Sequence, residues 1–135
     1  MYPAFLRRMI AVAVDQAVSI ALAAEVATSD LLALHGEMAV AIPVAVWLLF
    51  EPLTTALWCT PGQYLTRTRV RRFPSLERPG VFRTIFRWSL RVIAGYHSMI
   101  HAPRDPNRRG AHDLWSGTVV VFAEDIPKRA LTSDV

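Results

Sequence analysis

At 135 residues the chain has the length of a single domain, but 53% hydrophobic side chains is more than a water-soluble domain of that size normally carries. Its net charge of +4 is almost wholly arginine, with Lys128 the sole lysine, and the basic residues flank apolar segments, which argues against a nucleic-acid partner. One cysteine, Cys59, excludes an internal disulfide and lacks partners at metal-ligand spacing, so neither a stapled secreted fold nor a zinc site is expected, and no cofactor is implied.

The first apolar stretch runs from Met9 to Ala27, with Arg7 and Arg8 before it and the acidic residues Glu25, Asp30 and Glu37 around its end. That charge step predicts a transmembrane helix with its N-terminus inside. A signal peptide is the rival reading, because Ala21-Leu22-Ala23 imitates a cleavage site, but Asp15 and Gln16 interrupt the apolar core such a peptide needs. Met38 to Cys59 is the second stretch, long enough to cross hydrocarbon about 30 Å thick and return the chain to the cytoplasm. Thr60-Pro61-Gly62 then stops it.

From Gln63 to Arg87 the composition switches to arginine, which marks the inside face. Tyr64 to Phe73 alternates small or apolar residues with arginine and predicts a short strand, and valine-rich Thr118 to Ala123 predicts a second. The third hydrophobic stretch, Trp88 to Ala102, is short for a span. On a helical wheel Arg83, Arg87, Arg91, Ala94, His97, Ser98 and His101 share one side, and Trp88, Val92, Tyr96, Met99 and Ile100 the other. This pattern predicts an in-plane amphipathic or re-entrant helix, with arginines at both ends favouring two spans over three. The fold expected is therefore an all-α membrane protein, two transmembrane helices plus a third short helix, with a small two-stranded cytoplasmic β element. Residues 1–124 form one domain and 125–135 a polar tail, frayed from Lys128 onward.

Ionisable side chains within the apolar stretches carry the functional argument. Arg8 and Asp15 are nearly two helical turns apart on one face, too distant to pair directly. Arg8 has a simple reading as an interfacial anchor, whereas Asp15 needs a proton, a cation or an arginine to offset an insertion cost of about 2.5–3.5 kcal/mol. Glu51 should lie at a similar depth in the second span. Two readings stand: a shared proton or cation site, or clamps in which each acid takes an arginine of the amphipathic helix, Arg83 and Arg87 among them. In Arg109-Gly110-Ala111-His112-Asp113, Asp113 is placed to cap a turn or accept guanidinium hydrogen bonds, with His112 orienting it. A catalytic His-Asp pair lacks a nucleophile, a metal cluster or a phosphate cradle beside it, so no enzyme is expected.

In this order these residues resemble the RDD family of small bacterial membrane proteins, named for an arginine and two aspartates. Arg8, Ala11 and Asp15 match the family's opening arginine, alanine and aspartate, and Asp113 in the His-Asp-x-x-x-Gly-Thr motif its late aspartate. Glu51, Thr60-Pro61-Gly62, Arg69-Val70 and the Arg83 to Arg87 pair also fall where similar proteins carry like residues. Gln63 departs from the lysine that usually follows Thr-Pro-Gly. The resemblance implies a bacterial inner-membrane protein, and transport of cations or protons has been proposed for some relatives. The alternative is a non-catalytic accessory or assembly subunit of a larger membrane complex. Expected partners are anionic lipid headgroups and either further copies of the chain or a larger membrane complex.

Overall fold

In the computed structural model, the described residues are 2–29, 35–95, 97 and 105–127. Helix α1 covers Phe5–Thr28 and α2 covers Met38–Leu57, and both are long and apolar enough to cross a membrane. They pack against each other inside-out. The side chains that α1 buries are Arg8, Ala11, Asp15 and Ser19, at spacings of three and four residues that define one helical face. α2 buries Pro43, Glu51, Pro52 and Thr55, while Ile10, Ile20 and Leu22 of α1 and Val40, Val44, Leu49 and Leu53 of α2 are exposed. Lipid favours this arrangement, because apolar surface needs no covering there while polar groups must find partners inside. α2 runs on as one helix through both of its prolines.

Thr60 caps the short helix α3 (Pro61–Leu65), its hydroxyl accepting from Gln63 N at 3.2 Å, and Pro61 supplies the preset first-turn dihedral. Strand β1 therefore begins at Thr68 and not at Tyr64. The cap winds the intervening residues into a turn, and Arg67, at φ 52°, separates that turn from the strand. β1 (Thr68–Arg72) pairs antiparallel with β2 (Thr118–Phe122), Val70 opposite Val120. The period-two alternation gives β2 two apolar faces, with Arg69 and Arg71 of β1 opposite Val121 and Val119 on one of them. Val119 and Val121 join Ile126, Tyr2, Phe73 and Leu76 in a small core, while Val70 and Val120 line the cavity described below.

Helix α4 covers Val81–Ala94 and α5 covers Ala111–Ser116, and a 3₁₀ turn at Ala123–Asp125 follows β2. α4 has the two faces expected of it, with the arginine face turned into the protein. Arg87 is buried, whereas Phe82 and Ile93 are 91% and 84% exposed. Arg8, too, is buried and is not the snorkelling anchor that its place at a span end suggested. The remainder of the third hydrophobic stretch, with Tyr96, Ser98 and His101, lies outside the described residues, and the choice between two and three spans falls there. So does the polar tail from Lys128.

Candidate functional site

Asp113 sits in the first turn of α5 with no exposed surface. Its Oδ2 accepts the Gly110 backbone N–H at 3.1 Å, which closes the helix start as a short acidic residue there should. Two guanidinium groups converge on the same carboxylate. Arg8 reaches it across 105 positions of sequence, donating from Nη2 to Oδ2, and also donates to the Arg108 carbonyl at 2.5 Å. Arg87 of α4 donates from Nε to Oδ1 at 2.8 Å. Asp113 thus ties α1, α4 and α5 together through charge-assisted bonds. Capping a turn and accepting guanidinium hydrogen bonds, offered by the sequence as alternatives, occur together at Asp113.

His112 is 1% exposed, with Nε2 3.4 Å from Asp113 Oδ1. Burial, reinforced by Arg87 and Arg8, outweighs the attraction of Asp113 and pushes the imidazole down to about 3 from 6.5. An imidazole neutral in the folded state supports folding fully above about pH 6.5 and loses that contribution as pH falls toward 3. His112 is accordingly expected to keep a neutral imidazole in NMR spectra recorded down to about pH 4. A midpoint near 6.5 would contradict the geometry.

Glu51 of α2 pairs with Arg91, two turns along α4 from Arg83. The clamp reading therefore holds for Glu51, but Asp15 departs from it. Asp15 Oδ2 accepts from the Thr60 hydroxyl at 2.5 Å and Oδ1 from Gly62 N at 2.7 Å, and no arginine lies within ion-pair distance of it among the described residues. The Thr-Pro-Gly stop that ends α2 is thus what binds the first-span acid. A Cβ on Gly62 would lie 2.0 Å from the Ala11 carbonyl oxygen, so the absence of a side chain lets α3 rest on the backbone of α1.

Between these groups is a cavity of about 30 Å³ bounded by Arg8, Asp15, Glu51, Gln63, Arg87 and Arg91. That volume accommodates a water molecule. Gln63 donates from Nε2 to Thr55 Oγ1 at 3.1 Å, and its buried Oε1 accepts no hydrogen bond from the described residues. Arg83 stands apart from the network, donating from Nη1 to the carbonyls of Ser116 and Gly117 at 2.9 and 3.3 Å.

Of the seven residues singled out from sequence, the structure brings Arg8, Arg87, His112 and Asp113 into one cluster. It places Asp15 and Glu51 on one cavity and leaves Arg83 at another surface. Sequence reasoning missed Thr60, Gly62, Gln63 and Arg91 as members. Arg91 carried a signal, lying one helical turn beyond Arg87 on the arginine stripe.

Two helices long and apolar enough to cross a membrane, with acids and an arginine on their buried faces, stapled to a small two-stranded sheet, point to a small membrane protein with an internal charge network. The family model described as RDD family matches residues 2–117, and the chain belongs to that family. No curated protein and no solved structure matches it.

Proposed function

We propose that this RDD protein is a bacterial inner-membrane protein that moves protons through Asp15 as part of an oligomer. Its arginine-flanked segments support cytoplasmic termini and a multi-pass topology. The observation that carries the functional reading is the contrast among the three acids. Glu51 and Asp113 are neutralised by arginine, while Asp15, among the described residues, is held by a hydroxyl and a backbone N–H beside the 30 Å³ cavity. A carboxylate so placed responds to a proton, since protonation removes the one negative charge at that depth without an arginine partner. Protons are favoured over metal cations, because the other carboxylate on the cavity, Glu51, is taken by Arg91 and leaves Asp15 without a second acid to share a cation. Two long helices enclose no pathway alone, so further copies or a partner complete it. Asp15→Asn is expected to abolish proton movement in vesicles reconstituted with the full chain while the protein still folds. Flux equal to the parent protein would refute the proposal.

A second reading, a non-catalytic accessory subunit, is favoured by the Glu51 and Asp113 clamps, which hold α4 and α5 in place and transport nothing. Absence of flux together with a stable co-purifying membrane protein would select it. We read the protein as non-enzymatic in either case. His112 and Asp113 are buried to 1% and 0% exposure, where no substrate reaches them.

A further inference from the structure

We infer that the open cleft between the start of α4 and the end of α5 binds the phosphate of an anionic phospholipid headgroup. The cleft has a volume of about 690 Å³ and is lined by Arg72, Arg78 and Arg83, with no acidic side chain among its walls. Glu77 meets Arg72 at 3.7 Å at the rim, where both are about half exposed and the pair contributes little. Arg83 is the anchor. Among the described residues its two acceptors are neutral carbonyls, both met by Nη1, so the guanidinium is positioned there without a countercharge. Gly117 makes room for it: at φ +61° it ends α5, and a Cβ there would come within 2.6 Å of Arg83 Nη1. Gly80, which also lines the cleft, begins α4 with no side-chain cap. The first-turn N–H groups of this 14-residue helix add donors and a positive dipole end beside the three arginines.

Two features commit the site to a lipid and not to free phosphate. Arg78 donates from Nη1 to the carbonyl of Leu57 at 2.9 Å, the last residue of α2, which puts the cleft at the end of an apolar helix. Phe82, Phe86 and Trp115 then stand exposed beside the arginines, with Phe82 91% and Trp115 73% accessible. Aromatic rings next to arginine at that level suit glycerol and acyl carbons below a phosphate. Forked guanidinium donors suit the phosphate itself.

The inference rests on the membrane reading of α1 and α2 but is independent of the role given to Asp15. The test is native mass spectrometry of the full chain released from nanodiscs of phosphatidylglycerol or phosphatidylcholine. The expected result is retention of phosphatidylglycerol over phosphatidylcholine, falling about fivefold for Arg83→Gln and similarly for Arg72→Gln. Arg72 lies at an exposed strand end, so that variant decides the matter should Arg83→Gln fail to fold. Equal retention of the two lipids, or undiminished retention in Arg72→Gln, overturns the inference while the membrane reading stands. Displacement of the lipid by millimolar inorganic phosphate would assign the cleft to a free anion and also overturn it. A chain that stays monodisperse without detergent would instead defeat the membrane reading.

Discussion

Asp113→Asn is expected to remove about 3–5 kcal/mol of stability, seen as a large fall in the thermal unfolding midpoint of the detergent-solubilised protein. The substitution is nearly isosteric, so the loss is electrostatic. It leaves Arg8 and Arg87, both 5% exposed, buried with no countercharge. In the parent protein burial works against the Asp113 carboxylate, but Arg8 and Arg87 outweigh it and hold its titration well below the usual carboxylate range. That contribution is complete above about pH 4 and is lost as pH falls below it, the same direction as the contribution of His112. Replacing all three partners together, with Arg8→Met, Arg87→Leu and Asp113→Leu, should recover most of the stability, since no charge is then stranded. A single mutant as stable as the parent would mean that the triad bears no such energy.

Gly62→Ala should be comparably damaging for a steric reason. The added methyl would lie 2.0 Å from the oxygen and 2.8 Å from the carbon of the Ala11 carbonyl, and helix backbone cannot rotate aside as a side chain can. α3 must lift from α1, taking with it the Gly62 N–H that donates to Asp15 at 2.7 Å and straining the Thr60 contact. Overpacking and a lost hydrogen bond to a charged acceptor together cost on the order of 3–5 kcal/mol. Gly80→Ala is the control, because nothing lies within 4 Å of a Cβ built there, and a change of no more than about 0.5 kcal/mol is expected. Equal unfolding midpoints for the two variants would show that the α1–α3 contact yields.

Both long helices and the two-stranded ribbon were legible in the sequence, because apolar runs with arginine at their ends and a short valine-rich run are local patterns. The buried face of α1 was equally legible, since Arg8, Ala11 and Asp15 recur at helical spacing. Which residues meet across helices was not. Arg8 and Asp15 share a face but not an interaction, for Arg8 finds Asp113 and Asp15 finds the Thr60 turn. Helical spacing identifies the side that is turned inward and says nothing of what waits there. The two faces of α4 were visible as well, and pairing its arginine stripe with buried acids was one of the two readings, but which arginine meets which acid was not visible. The stripe's inward turn follows from acids on α2 and α5 that only the tertiary arrangement brings within reach. Asp15 taking a hydroxyl and an amide leaves no compositional trace, because Thr-Pro-Gly reads as a helix stop with or without that contact.

The long separation between Arg8 and its carboxylate bears on biosynthesis. Arg8 is synthesised 105 positions before its counterion. A nascent chain therefore holds an unmatched cation on α1 until α5 has been made. A product truncated before α5 cannot close the network at all, and leaves Arg8 and Arg87 without the carboxylate that both of them share.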